Sequence, residues 1–261
     1  SKRTAAEADP MSTLPRLLQT ILLCLAAVAC GAGTGELPAD PAEDRYSYRN
    51  PSRDGIGKVY LGREISHVMG HLAAGWLERP QRQRQERTDL LIERMPLRPD
   101  SVVADIGAGT GYFSFPVAAR VPEGRVYAVD IQPEMLAVIE RRVRERGIDN
   151  VETVLGSAKD PGLPRAAVDL AFIVDAYHEF SHPWEMGRAI AAALKPGGRL
   201  LLIEYRAEDP RVPIKPLHKM TESQARREMA AIGLDWVATE DYLPQQHVLI
   251  FEKARAPRSA S

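Results

Sequence analysis

From residue 99 onward, short apolar runs alternate with amphipathic stretches. "SVVADI", "RVYAVD", "VETVL", "VDLAFIVD" and "RLLLIEY" carry few polar interruptions, the pattern of strands buried on both faces. Helical periodicity between them predicts helices over Tyr112–Arg120, Pro133–Arg146 and Pro183–Leu194, with Pro133 and Pro183 in first turns, where proline's fixed φ is an advantage. "KPGG" predicts a turn before "RLLLIEY". A further helix is expected over Thr221–Ile232, where Thr221 and Gln224 are spaced as a capping box and Gly233 follows as a stop. "DWVATE" and "HVLIFEK" then predict an antiparallel strand pair around Pro244. Strand–helix alternation of this kind implies an α/β fold whose mostly parallel sheet is covered on both faces.

The upstream pattern is different. Ile65, Val68, Met69, Leu72 and Trp76 fall on one helical stripe, predicting a helix within residues 61–78 bounded by Pro80. "QRQRQERTDLLIERM" predicts a second, highly charged helix ending before Pro96, with its charged face in solvent. Residues 55–98 therefore read as an N-terminal helical cap, 99–254 as the main domain and 255–261 as a tail. Residues 31–54, rich in Gly, Pro and Asp, read as a linker. Residues 1–30 read as a leader: Arg16 precedes an apolar run from Leu17 to Ala29, interrupted by Gln19 and Thr20 and followed by small residues. That is the layout of a secretory signal, too short for a comfortable membrane span. "AVAC" resembles a lipoprotein cleavage box with Cys30 as the lipid-bearing residue, although Ala27 stands where such boxes prefer leucine. The expectation is an exported chain, periplasmic or membrane-attached through Cys30; a retained hydrophobic helix on a cytoplasmic chain is the competing reading.

Composition narrows the function classes. The chain has 261 residues, 44% hydrophobic and 26% charged, with a net charge of −1. That balance speaks against a protein built mainly to hold nucleic acid. The two cysteines, Cys24 and Cys30, both lie in the leader, so residues 31–261 offer no disulfide, thiolate metal site or cysteine nucleophile.

The chemistry concentrates after strand ends. "VVADIGAGTGYF" carries Asp105 at the strand end and then Gly107, Ala108, Gly109 and Gly111 before the helix. Glycines let a backbone adopt positive φ and approach a ligand closely. The spacing G-x-G-x-G differs from the G-x-G-x-x-G of dinucleotide folds. Asp130 closes the next strand, 19 residues after Gly111, where a carboxylate can take both hydroxyls of a ribose, and Ile131 beside it can pack on an adenine face. No basic residue lies between Asp105 and Arg120; a neutral or cationic sugar–base ligand suits the loop better than a pyrophosphate.

"DIGAGTG", "VDIQPEM", "VDLAFIVDAYHEF" and "LKPGGRLLLIEY" together resemble the successive motifs of class I S-adenosylmethionine-dependent methyltransferases, over about residues 85–253. The resemblance implies a Rossmann-like, three-layer sheet of seven strands with the last antiparallel. It implies S-adenosylmethionine as cofactor, with Asp105, Gly107, Ala108, Gly109 and Gly111 at its methionine part, Asp130 on the ribose, Ile131 on adenine, and Asp175 facing its reactive side. Family members usually carry an acidic or polar residue after the third strand; here Ser157 and Ala158 stand there, and the usual carboxylate is missing.

In "IVDAYHEFSHPWE", Asp175, Tyr177, His178 and Glu179 follow the fourth strand. His178 is a candidate general base, with Asp175 or Glu179 to orient it and Tyr177 to hold a substrate; a ligand contact without proton transfer and a plain turn residue are the other readings. Glu204, Tyr205, Arg206, Lys215 and His218 are candidate substrate contacts from the Pro-broken stretch after the fifth strand. His182 reads as a helix-boundary residue and His247 as structural. No metal site is assigned: His67 and His71 are spaced to chelate, but no third ligand accompanies them. The expected function is methyl transfer to a small-molecule acceptor, against an alternative of a non-catalytic S-adenosylmethionine-binding or scaffold module of the same fold. Oligomeric state is not legible.

Overall fold

The computed structural model describes residues 45–255. The leader, Cys30 and most of the expected linker lie outside the described residues. Among the described residues no helix is long and apolar enough to cross a membrane.

The chain enters through a small antiparallel sheet, β1 (Tyr46–Tyr48), β2 (Gly55–Tyr60) and β3 (Arg63–Ser66). This corrects the helical cap expected from residue 55. Leu61 and Gly62 both take positive φ, 46° and 90°, the backbone of a tight hairpin turn. Of the supposed helical stripe, Ile65 is fully buried from a strand, whereas Leu72 and Trp76 are exposed. Glu64 on β3 is buried beneath the loop before β2; its carboxylate accepts from the Ser52 and Gly57 amides and from Arg49. Those bonds, the Ser52 amide first, hold its pKa down to about 2.

Three short helices follow: α1 (Ala74–Leu77), α2 (Arg82–Glu86) and α3 (Thr88–Arg94). The single charged helix expected after Pro80 is broken at Arg87, whose φ is 53°. Its charges are not all solvated. Arg82 and Glu86 are buried and paired at 3.0 Å, Arg79 also binds Glu86, and the Tyr205 hydroxyl donates to Glu86 at 2.9 Å.

The main domain follows the expected alternation: β4 (Val102–Ile106), α4 (Ser114–Arg120), β5 (Arg125–Asp130), α5 (Pro133–Arg146), β6 (Val151–Leu155), β7 (Val168–Val174), α6 (Pro183–Ala193), β8 (Leu194–Tyr205), α7 (Glu222–Ala231), β9 (Leu234–Glu240) and β10 (Gln246–Lys253). The strands form one seven-stranded sheet in the order β6-β5-β4-β7-β8-β10-β9. The pairs β6–β5, β5–β4, β4–β7 and β7–β8 are parallel, and β10, last in sequence, is antiparallel to both neighbours. This is the Rossmann-like methyltransferase fold. "KPGG" belongs to the long β8, with a register shift against β7, instead of forming a separate turn.

Alternation along the central strands builds a core on each face. Ala171 and Ile173 of β7, with Leu200 and Leu202 of β8, meet Met186 and Ile190 of α6 and Met229 of α7. Leu170, Phe172, Leu201 and Ile203 meet Phe115 and Val117 of α4 and Leu136 and Ile139 of α5. The Thr221 hydroxyl accepts from the Gln224 amide at 3.1 Å, forming half of the expected capping box; the Gln224 side chain instead reaches the Leu61 carbonyl. Arg63 ties the small sheet to α7 through two bonds to Glu228, at 2.8 and 2.9 Å.

Candidate active site

Strand order reverses between β4, which leads outward to β5, and β7, which leads to β8. Crevices at such points, beyond the carboxyl ends of the strands, are where open α/β sheets take ligands. A cavity of about 700 Å³ opens there, floored by the strand ends and roofed by residues 66–82 and 213–218.

The glycine loop forms one wall. The Gly107 and Ala108 amides both donate to the Val129 carbonyl, and the Gly109 amide donates to Asp130 Oδ2 at 2.8 Å. Gly107 and Gly109 have φ of 79° and 55°, and a Cβ on Gly109 would lie 2.6 Å from Leu77 Cδ1 of the roof. Asp130 accepts a second amide bond, from Gln132 at 2.9 Å. A carboxylate has about four acceptor positions, so two remain for a vicinal diol. Burial raises the Asp130 pKa, opposed by those amide bonds.

Gly107, Gly109, Asp130, Ile131, Ser157, Ala158, Asp175 and His178 all line the cavity. Ile131 is exposed there as an apolar surface. The Ser157 hydroxyl is engaged by the Lys159 and Asp160 amides in its own turn, so polar contacts at this end fall largely to backbone. Asp175 takes φ of 50°; its Oδ2 accepts from Gln246, while its buried Oδ1 has no partner. Burial, with the carboxylates of Glu86 and Glu204, raises its pKa well above the usual range.

Four of the residues expected to hold the cofactor or take part in catalysis do not line the cavity, and of the candidate substrate contacts Glu204 and Arg206 do not. Asp105 is buried beneath the glycine loop, where the Ser114 hydroxyl donates to it at 2.6 Å and burial pushes its pKa up to about 7. Ala108 is buried in the core on the α4–α5 face. Gly111 serves packing: a Cβ there would meet Phe115 at 2.8 Å. Tyr177 is buried against the opposite core, its ring 5.6 Å from the Arg63 guanidinium.

His178 does reach the cavity, and its orienting partner is neither Asp175 nor Glu179. Its Nδ1 lies 2.7 Å from Glu204 Oε2, and its own amide donates to Glu204 Oε1. Glu204 is fully buried on β8; the β7–β8 pairing, Val174 beside Ile203, brings it under the turn that carries His178. Burial alone would lower the His178 pKa, but the Glu204 carboxylate prevails and raises it. The small sheet fixes the same turn: Arg63 and Ser66 both donate to the His178 carbonyl, at 3.1 and 3.2 Å.

His178 Nε2 faces His218 Nδ1 at 3.1 Å. Burial and the neighbouring His178 push the His218 pKa down to about 4. Glu179 lies beside both rings, its pKa raised by burial, its Oε2 held by the Met69 amide at 3.1 Å. Tyr205 and Lys215 also line the cavity, whereas Arg206 turns away to the carbonyls of Leu243, Pro244 and Gln246. His67 lines it without joining the histidine cluster, and His71 meets Gln132 and Glu134 outside it. His182 precedes α6 and makes no side-chain cap, and His247 is buried at the start of β10. Arg82, a residue that lies within the charged stretch, is an unexpected part of the wall.

Residues 103–198 match a family described as "Methyltransferase domain". The chain is 33% identical over 126 residues to the uncharacterized methyltransferase YcgJ of Bacillus subtilis, covering 48% of this chain and 49% of that protein. It is 34% identical over 116 residues to the ubiquinone/menaquinone biosynthesis C-methyltransferase UbiE of Ectopseudomonas mendocina, covering 44% and 45%. The aligned part thus spans about half the length of these relatives. Among solved structures, an S-adenosylmethionine-dependent methyltransferase from Aquifex aeolicus has the same fold, with a TM-score of 0.66 at 22% identity over 71% of this chain and 99% of that one. The ordered motifs, the sheet they build and these likenesses agree on a methyltransferase domain, matched over residues 103–198, with the fold of class I S-adenosylmethionine-dependent methyltransferases.

Proposed function

We propose that this protein transfers a methyl group to a small, largely apolar acceptor held between the glycine loop and the roof of the cavity. The observation that carries the proposal is the His178–Glu204 pair, 2.7 Å apart, at the cavity wall formed by the end of β7. When bound, S-adenosylmethionine supplies an electrophilic methyl on a sulfonium that departs as a neutral thioether. Proximity and proton removal are what the protein then has to add.

The residues present fit that cofactor. Gly107 and Gly109 keep Cβ atoms off the approach, Asp130 retains acceptor positions for the ribose, and Ile131 offers an adenine platform. The unpartnered Asp175 Oδ1 suits the amino group, and Arg82, held in place by Glu86 and the Leu77 carbonyl, suits the carboxylate.

At the acceptor side, Glu204 holds the Nδ1–H of His178, so Nε2, which shares the cavity wall with His218 Nδ1 at 3.1 Å, is the nitrogen that can accept a proton. That nitrogen takes the proton of an acceptor hydroxyl. The resulting oxyanion attacks through oxygen, or through a neighbouring ring carbon when the acceptor is a phenol. Met69, Trp76, Leu77 and Ile214 supply apolar walls for such a ring. The relatives named for quinone biosynthesis support a phenolic acceptor and C-methylation as the first choice to test. The reading as a binding module without turnover draws on the missing carboxylate at Ser157–Ala158.

Calorimetry with S-adenosylhomocysteine, followed by release of that product from S-adenosylmethionine across a panel of phenols, separates the two readings. His178→Ala should keep product affinity within about twofold and lose at least 100-fold in kcat, in line with removal of a general base. Binding without turnover of any acceptor would favour the module, and an unchanged kcat in His178→Ala would remove His178 from the mechanism.

A further inference from the structure

Three groups able to donate lone pairs converge on one point of the cavity wall: His178 Nε2, His218 Nδ1 and Glu179 Oε1. The separations are 3.1 Å between the two nitrogens, and 3.8 and 3.9 Å from the Glu179 oxygen to the nitrogens of His178 and His218. A point equidistant from all three lies about 2.1 Å from each, the length of a zinc–nitrogen or zinc–carboxylate bond. From this geometry we propose that His178, His218 and Glu179 form a binding site for one divalent transition-metal ion, with zinc as the reference ion.

The surroundings are those of a metal site. Glu204 binds His178 Nδ1 from behind at 2.7 Å and is itself fixed by the His178 amide. A carboxylate behind a histidine is the usual device for fixing tautomer and ring orientation at a metal ligand. Glu179 Oε1 lies beyond hydrogen-bond distance from both rings, while its Oε2 is held by the Met69 amide. The carboxylate is therefore aimed between the two rings without bonding to either. Two nitrogens and one oxygen select zinc, manganese or iron over magnesium and calcium. Three protein ligands beside a cavity leave a position open, the pattern of a catalytic site more than of a structural one.

Two consequences follow. The ligands come from the turn after β7 and the turn Pro216–His218 after β8, so the ion would fasten the Pro-rich stretch to the sheet end. With the ion bound, His178 would serve as a ligand in place of its role as base, and the ion would supply the acidification of an acceptor hydroxyl at the open position, the proton passing to solvent. This catalytic consequence rests on the methyl-transfer reading; the binding of the ion does not.

The test uses the full chain, stripped with chelator and titrated with zinc by calorimetry, with bound metal counted by elemental analysis. The parent should take one ion per chain. His218→Ala, on a partly exposed turn, should bind zinc at least tenfold more weakly while keeping its S-adenosylhomocysteine affinity within twofold. Glu179→Gln should also weaken zinc, and cobalt(II) in the parent should show the strong visible bands of a four-coordinate site. His71→Ala should leave zinc binding unchanged, because it disables only the His67–His71 pair. Absence of zinc binding by the parent, zinc affinity in His218→Ala equal to the parent's, or loss of zinc in His71→Ala would overturn the proposal. If zinc binds as described but S-adenosylhomocysteine does not, the methyl-transfer reading fails and the metal site stands.

Discussion

The sheet and the N-terminal layer over it are held by different forces. The sheet is held by apolar strands that bury both faces, such as β8, where Leu200 and Leu202 point to one core and Leu201 and Ile203 to the other. The layer before residue 98 adds buried charges to the apolar contact that Leu91 and Met95 make with the core: Arg63 pairs with Glu228 of α7, and Glu86, itself paired with Arg79 and Arg82, accepts from Tyr205 of β8. The first kind of cohesion is tolerant, because an apolar side chain can be replaced by another of similar volume at modest cost. The second is not, because removing one partner leaves a charge in a low-dielectric site. The difference matters for function, since Arg63 and Ser66 of this layer also fix the carbonyl of His178.

The largest expected effect is at that junction. Glu228→Ala leaves Arg63 buried and unpaired, and should cost about 3–5 kcal/mol in urea unfolding. Replacing both, Arg63→Met with Glu228→Leu, should recover most of the loss. If the single variant costs less than about 1 kcal/mol, the two regions are not joined as described.

A smaller, pH-dependent effect belongs to the sheet. Burial raises Asp105 to about 7, so the folded protein binds its proton more tightly than the unfolded chain does. Its favourable contribution is complete below the ordinary carboxylate range and is lost as the pH climbs through about 7. Asp105→Asn retains a carbonyl oxygen for Ser114 and removes that dependence. Between about pH 5 and 8 the parent should lose roughly 2 kcal/mol relative to the variant, read from unfolding curves at each pH. Parallel curves for the two proteins would show Asp105 to be ordinary.

The smallest stability effect should come from the exposed part of the roof. Trp76 is half-exposed with the Arg79 guanidinium 3.8 Å from its ring centre. Trp76→Ala should change stability by less than about 1 kcal/mol while raising the KM for the acceptor severalfold with little change in kcat. A large stability loss with an unchanged KM would make Trp76 a packing residue and not a substrate wall.

The same contrast decides what could be read from residues alone. Continuous apolar runs such as "VDLAFIVD" have one compact solution, and each strand of the main sheet contains or overlaps its run, with β8 extending back through the expected "KPGG" turn. The hairpin at Leu61–Gly62 escaped because Ile65, Val68, Met69, Leu72 and Trp76 also satisfy a helical period; only the sheet's buried charges and the cavity roof decide among those residues. Burial of Arg82 and Glu86 is likewise a tertiary outcome that looks like a solvated helix in sequence. In the site, the glycine loop, Asp130 and His178 were legible as local motifs after strand ends. Glu204 as the partner of His178 was not, because it depends on the register of β8 against β7. His218 was legible only as a contact candidate, since it reaches the cluster from a loop 40 residues further on. Asp105 and Tyr177 carry the expected motif positions but are buried away from the cavity, a distinction of side-chain direction that spacing does not encode.

The central claim is that Gly107–Gly109 and Asp130 hold an adenosyl ligand in front of His178. Its most direct test is a calorimetric titration of S-adenosylhomocysteine into the parent and into Asp130→Ala, with circular dichroism to verify that both are folded. The account predicts one site in the parent and at least a tenfold weaker one in the variant, about 1.4 kcal/mol or more. No binding by the parent, or equal affinity in a well-folded Asp130→Ala, would contradict it.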